Sequence, residues 1–215
     1  MDHEIHTEPG TTRLFSNPVL EIFSRTHPAF VPSIYVPIAA FLIWFSATRT
    51  SIDIVSTVGL VVGGVFTWTF IEYWLHRTIM HWIPNNGWGE RMHFWVHGIH
   101  HIWPNDPLRL VMPPIVSITL FFIFLGLYRW LLGTYAWAFM AGFTLGYVTY
   151  DLMHFVLHHA KFRWEWFKKL QHNHLSHHFS EKYENLRFGV STSLWDHVFG
   201  TYRVQKSRKR ETSAA

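Results

Sequence analysis

All but four of the 17 histidines in this 215-residue chain fall between His76 and His178, and they are clustered. His76 and His81 sit in EYWLHRTIMH. His93, His97, His100 and His101 follow in HFWVHGIHH, His154, His158 and His159 in YDLMHFVLHH, and His172, His174, His177 and His178 in QHNHLSHH. On a helix, residues three and four apart share a face. The spacing therefore points His97, His100 and His101 together, and likewise His174, His177 and His178, with His154 and His158 one turn apart. His76 and His81 are five apart, about 140° round a regular helix; either the chain unwinds there or the two serve different metals. Imidazoles gathered this densely repel one another when protonated and cost heavily when buried unpaired. Lone pairs converging on cations remove both problems, so the chemistry is metal binding. Ten form the expected ligand set: His76, His81, His97, His100, His101, His154, His158, His174, His177 and His178. Ten exceed what one ion takes, which implies two metals. His93, His159 and His172 are expected around that centre. Glu72, four residues before His76, and Asp151, three before His154, are expected to orient ligands.

Composition narrows the metal. With no cysteine in the chain, disulfides, zinc–thiolate sites and iron–sulfur clusters are excluded. Hydrolytic zinc sites usually bring a Glu base, as in HExxH, and neither HExxH, GxSxG nor a P-loop is present. Imidazole suits iron as well as zinc. An oxygen-activating di-iron pair at a membrane surface, with a lipid chain as substrate, fits both the ligand count and the setting.

That setting follows from the elements that must carry the histidines. Residues are 49% hydrophobic and only 15% charged, well below the ~25% charge of soluble domains. Four apolar stretches, Ile34–Thr48, Ile52–Leu75, Pro114–Leu132 and Tyr135–Leu157, read as membrane spans; the first and third fall short of the roughly 20 residues a crossing needs and must borrow flanking residues. The breaks Arg49–Ser51 and Gly133–Thr134 are short enough for tight hairpins, so residues 1–33, 76–113 and 158–215 share one side. Every Lys and Arg except Arg49 and Arg129 lies there, which makes that side cytoplasmic. The pI near 9.4 then reports topology and anionic lipid headgroups rather than nucleic acid. The expected fold is all-α integral membrane: four transmembrane helices as two hairpins with a cytoplasmic histidine-rich helical cap. An N-terminal cytoplasmic or interfacial segment spans 1–33, one membrane domain 34–205, and a basic tail 206–215. Acidic Asp2, Glu4 and Glu8 before any apolar run argue against a signal peptide. Asn17-Pro18 has the form of a helix start, and Leu14, Phe15, Val19, Leu20, Ile22 and Phe23 would lay that segment on the membrane or pack it on the cap. Gly59 and Gly63 have the spacing of a close helix contact.

The order HRxxxH, HxxxHGxHHxxPxDxxRLVxPP, YDxxHxxLHH, HxxHH and FGVSxxxWDxxFGT resembles the fatty acid hydroxylase superfamily over nearly the whole chain. The stretch His97-Gly-Ile-His-His101 through Trp103-Pro-Asn-Asp106 to Arg109-Leu-Val-Met-Pro-Pro114 is similar to its fatty acid 2-hydroxylase branch. The resemblance implies a di-iron membrane monooxygenase that hydroxylates carbon 2 of a long acyl chain, free or in ceramide, with O₂ as co-substrate. It maps the ligands onto the ten histidines above. Two Fe ions are implied, with Zn a possible substitute in purified protein. It also implies a separate electron donor, a cytochrome or ferredoxin with its reductase, for which Lys161, Arg163, Lys168 and Lys169 offer a basic docking surface. Asp106 and Arg109 would hold the cap or contact a polar headgroup. Arg187 departs from the pattern, which expects a small residue, usually glycine, before Phe188-Gly-Val. The enzyme would sit in a bacterial inner membrane or the endoplasmic reticulum membrane. Alternatives are a sterol or other cyclic-lipid hydroxylase or desaturase of the same superfamily, and a zinc-dependent membrane lipid hydrolase.

Overall fold

The computed structural model describes residues 5–8, 10, 13–83 and 86–203; His3 and the basic tail 206–215 lie outside them. Among the described residues the chain is helical, without strands. Four long helices dominate: α2 (Phe30–Arg49), α3 (Ile54–Trp74), α6 (Pro114–Leu132) and α7 (Ala136–His159). Three helical runs are long and apolar enough to cross a membrane, namely Phe30–Arg49, Ile54–Met80 and Pro114–His159. The first begins four residues before the apolar stretch Ile34–Thr48, and so reaches 20 residues. The third, at 46 residues, is about twice what one crossing requires. It is broken by a 3₁₀ turn at Gly133–Tyr135, where Gly133 takes a φ of +56°. Beyond that turn α7 comes back beside α6: the Tyr128 ring lies 4.7 Å from Phe139 and 5.2 Å from Phe143. Arg129 caps the turn by donating to the Gly133 carbonyl, with its guanidinium 4.8 Å from the Trp137 ring. Large apolar side chains such as Val62, Phe122 and Trp130 point outward, as expected where lipid replaces water.

α7 is the hub, packed on α3 along one side and α2 along another. The α3–α7 contact is a backbone approach. A Cβ on Gly142 would sit 1.9 Å from the Val61 carbonyl oxygen, one on Gly64 2.1 Å from the Phe139 oxygen, and one on Gly146 2.5 Å from the Trp68 Cβ. Small residues substitute for a hydrophobic drive that lipid does not supply. The glycines that serve here are Gly64, Gly142 and Gly146. Gly59 faces open space and Gly63 meets only the Phe139 ring, at 3.9 Å, so the expected Gly59–Gly63 contact is replaced by one a residue further along the helix. Because α3 and α7 run parallel in this register, both bring their histidine-bearing C-termini to the same end. His76 lies twelve residues beyond Gly64 and His154 twelve beyond Gly142, so the two arrive level.

Short helices cover that end: α1 (Pro18–Phe23), α4 (Gly87–His93), α5 (Ile99–Ile102), α8 (Glu165–Phe179) and α9 (Leu194–Val198). Asn17 caps α1, its Oδ1 accepting from Val19 N at 2.9 Å, and Asn86 caps α4 by accepting from Gly89 N at 2.7 Å. Gln171 on α8 donates to the Leu157 and Ala160 carbonyls at 2.7 and 2.8 Å, occupying two of the acceptors that a helix C-terminus leaves open. This pins α8 to the end of α7.

Candidate metal centre

The ten histidines form two groups of five. His76, His81, His97, His101 and His177 make one; His100, His154, His158, His174 and His178 make the other, with the ligand atoms of each group within 4.8 Å of one another. The division does not follow the chain. On a helix, residues four apart are offset by about 40° and residues three apart by about 60° the other way. So His97 and His101 stay together while His100 turns to the other group, and His174 and His178 stay together while His177 crosses over. Each group thus takes an i, i+4 pair from one HxxHH run, the middle histidine of the other run, and a pair from the end of a long helix. The expectation that each run points at one place is corrected accordingly. The two groups abut, with the His101 and His178 rings 4.3 Å apart.

His76 and His81 belong to the same group because the helix widens. Leu75–Met80 is a π-helix, in which the hydrogen-bond step is five residues. Their Nε2 atoms come to 3.3 Å, so the change in helical winding brings the two side chains together. Phe94–Gly98 is a second π-helical turn, leading into the helix that carries His100 and His101.

Nitrogen faces nitrogen throughout. Nε2–Nε2 separations are 3.1 Å for His76–His97, 2.9 Å for His97–His101, 3.0 Å for His81–His177, 2.8 Å for His100–His154 and 2.9 Å for His158–His174. Two ligands ~2.1 Å from one ion, at right angles, would be ~3.0 Å apart. The tautomers agree. His76 Nδ1 lies 2.6 Å from the Phe188 carbonyl and His177 Nδ1 2.7 Å from the Leu186 carbonyl. A carbonyl only accepts, so each Nδ1 carries the proton and each Nε2 presents its lone pair inward. Buried lone pairs aimed at one point fit a cation.

Glu72 and Asp151 are buried, but neither bonds the histidine it was expected to orient. Glu72 accepts from Val190 N and Ser191 N, both at 2.8 Å, and from the Ser191 hydroxyl. It holds the 188–191 backbone, and that backbone orients His76. Asp196 grips the same segment, accepting from Phe188 N and Gly189 N at 2.9 Å and from Thr201 Oγ1 at 2.6 Å. Neither Asp151 Oδ1 nor His154 Nδ1 has a hydrogen-bond partner among the described residues. His159 and His172 are exposed and His93 is half-buried, all three outside the two groups; His93 lines the cavity beside His81, His101 and His178, and His159 lies close enough to His154 and His158 to interact electrostatically with them. Asp106 and Arg109 secure the cap: Asp106 Oδ1 accepts from Leu108 N at 2.9 Å, and Arg109 donates to Glu21 at 2.9 Å. Arg187 occupies the left-handed region at φ +63°, which explains why glycine suits the position. Its guanidinium lies over the Tyr183 ring at 3.7 Å and donates to Ser176 Oγ at 2.5 Å, contacts that offset a cost of about 1 kcal/mol or more for the backbone.

Two outcomes follow at this site. Glu72→Gln places an amide against backbone N–H donors and loosens Phe188. Metal affinity of the His76 group should fall about 10- to 100-fold, with the other group unchanged, as measured by ion release to a graded chelator. Equal loss from both groups would refute the linkage. The second concerns acid. Burial, then the neighbouring imidazoles, holds His97, His100, His101, His174 and His178 well below the ordinary imidazole value. Burial pushes His177 down to about 4 despite its carbonyl partners. The unfolded chain therefore binds more protons than the folded one below about pH 6.5. Stability should be complete above that pH and decline as pH falls toward 4. A thermal midpoint unchanged between pH 7 and 5 would contradict this.

A cavity of about 610 Å³ opens onto the histidines, touching His81 and His101 of one group and His178 of the other, with Ile83, Phe94 and Ile102 among its apolar walls.

Fold and site together define a class: a helical protein with membrane-length apolar helices and, at one end of them, two all-histidine groups able to hold metal. The family model for fatty acid hydroxylases matches residues 61–201. A dihydroceramide fatty acyl 2-hydroxylase of Arabidopsis thaliana is 38% identical over 96% of this chain and 86% of its own length. The ceramide very long chain fatty acid hydroxylase of Saccharomyces cerevisiae is 39% identical over 92% of this chain and 51% of that protein. A solved structure of full-length scs7p, in which only the hydroxylase domain is visible, superposes with a TM-score of 0.84 at 38% identity, covering 91% of this chain and 73% of that one. The chain belongs to the fatty acid hydroxylase family.

The sequence reading missed the Phe188 and Leu186 carbonyls and Ser191. Carbonyls carry no sequence signal, being present in every residue.

Proposed function

We propose that this chain is an O₂-dependent hydroxylase acting on carbon 2 of a long fatty acyl chain, carried in a ceramide-type lipid or free. As a member of its family it is a hydroxylating oxidoreductase, and the relatives that name an acyl position name that one. The observation that carries the reading is the convergence of ten imidazoles, five and five, at one end of apolar helices of membrane length. The ions are iron, one per group, and when bound they supply the activation of O₂. In the balance, one C–H becomes C–OH, the second oxygen atom leaves as water, and a donor provides two electrons and two protons.

The chain's own residues do the rest. His76 and His177, locked by backbone carbonyls, hold their Nε2 lone pairs inward. The cavity beside His81, His101 and His178 admits the acyl chain, with Ile83, Phe94 and Ile102 on its apolar side and Glu90, Glu181 and Glu184 on its polar side. Four crossings, the 114–159 run forming two of them, put the histidines on the cytoplasmic face with the Lys and Arg residues. The basic surface at Lys161, Arg163, Lys168 and Lys169 receives an acidic electron carrier.

The test is lipid profiling of membranes expressing the protein under ¹⁸O₂. One heavy oxygen atom in a 2-hydroxy acyl species is expected. A modified sterol instead would redirect the substrate assignment, and turnover without O₂ would refute the oxygenase.

A further inference from the structure

Helix α1 is inside out. Its one acidic residue, Glu21, is buried and accepts from Leu14 N at 2.9 Å, Phe15 N at 3.1 Å, Arg25 Nε at 2.9 Å and Arg109 Nη2 at 2.9 Å. Its apolar residues face outward, Ile22 at 69% exposure and Val19, Leu20 and Phe23 all above half. Six residues are too few for a helix to persist alone, since ~12 are marginal in water. The ion pair with Arg109, the Arg109–Ser24 Oγ bond at 3.0 Å and the Thr26 N–Leu108 O bond at 2.8 Å hold it in place. A contiguous apolar face kept outward by a buried ion pair marks a contact surface.

The occupant follows from position and charge. α2 begins at Phe30, seven residues past the end of α1, and its own outward residues Ile34, Val36 and Phe41 are exposed. The patch therefore continues the apolar sleeve of the helices at their boundary. Tyr35 of α2 meets Tyr147 of α7 at 5.1 Å, and Phe45 meets Trp137 at 5.0 Å, so α2 starts at the end where the histidines lie. Between residues 13 and 29 the charges are Arg13, Arg25 and Glu21, and Glu21 is also neutralised by Arg109. A basic, apolar surface at that height matches an anionic bilayer interface.

We propose that α1 is an interfacial foot. Val19, Leu20, Ile22 and Phe23 enter the acyl boundary of the bilayer on the histidine side, and the Glu21–Arg109 pair fastens the foot to residues 103–113. That segment leads directly from the helix bearing His100 and His101 to α6. The foot sets the height of the histidine groups above the lipid. The inference depends on the membrane setting and not on the reaction proposed above, so it survives a different lipid substrate.

The chain contains no cysteine, so Ile22→Cys and Phe23→Cys each introduce a single thiol for a nitroxide label. The labelled full chain is reconstituted in vesicles of phosphatidylcholine and phosphatidylglycerol, and collision rates with O₂ and with water-soluble chromium oxalate are compared. Both labels should collide with O₂ about threefold or more in excess of chromium oxalate, as a group below the headgroups does. Preference for chromium oxalate at both positions would overturn the proposal and assign the patch to a protein partner. Lipid profiling remains a separate readout, so failure here and failure of the hydroxylase reading are distinguishable.

Discussion

Replacing His177 by alanine should leave one metal ion per chain instead of two, and replacing His100 should remove the other. The prediction is sharp because both residues sit in the middle of HxxHH runs and are crossed over. His177 shares helix α8 with His174 and His178, yet its Nε2 lies 3.0 Å from that of His81, in the opposite group. His100 shares its helix with His101 but meets His154 at 2.8 Å. If each run served one metal, His177→Ala with His174→Ala would count as a single lesion. In the observed arrangement that pair strikes both groups and leaves no metal, whereas His177→Ala with His97→Ala removes one ion only. Metal analysis of the singles and these pairs, after equilibration with a chelator, reads the grouping directly. Hydroxylation should fall at least ~100-fold in each single variant, because loss of even the partners around a metal ligand costs 10- to 100-fold. Two ions retained in both pairs would overturn the assignment of the ten residues as ligands.

Gly142→Ala is the second large effect, and it acts far from the histidines. The added methyl would meet the Val61 carbonyl oxygen at 1.9 Å, and backbone on both sides leaves no flexible side chain to yield. α3 and α7 must separate or slide, at a cost of about 3 kcal/mol or more by the scale of overpacked cores. His76 and His154 are carried on these same two helices, so a shift in register moves two ligands in different groups at once. Thermal unfolding in detergent, followed by tryptophan fluorescence, should show a lowered midpoint together with reduced metal in both groups. Gly59→Ala is the matching control: it meets nothing within 4 Å and should be neutral or raise helix stability by about 1 kcal/mol or less. Equal midpoints for the two variants would show that the α3–α7 approach is not what levels the histidines.

Much of this molecule is legible in one dimension. Four apolar stretches, two of them ending at histidines, marked the long helices to within a few residues, because lipid demands length and hydrophobicity and both are properties of the sequence alone. The ten histidines were separable from the other seven by spacing and by their place in recurring motifs. Pro18 behind Asn17 marked the start of α1.

What the sequence could not decide is how the ten divide. Spacing within a helix fixes only the angle between neighbours, and a 100° angular step leaves three successive candidates about equally plausible. Which of them meets which depends on where the next helix lies, and that depends on Gly64 and Gly142 bringing α3 and α7 into parallel contact. The π-turn at Leu75–Met80 changes the angle itself, and no residue in LHRTIM announces it. The partners that set the His76 and His177 tautomers are carbonyls of Phe188 and Leu186, whose chemistry is common to every residue. Only tertiary structure selects which carbonyl is used. The ten clustered histidines were therefore marked in the sequence, whereas their division into two groups belongs to the packing: identity is local, but convergence requires distant segments to share one point in space.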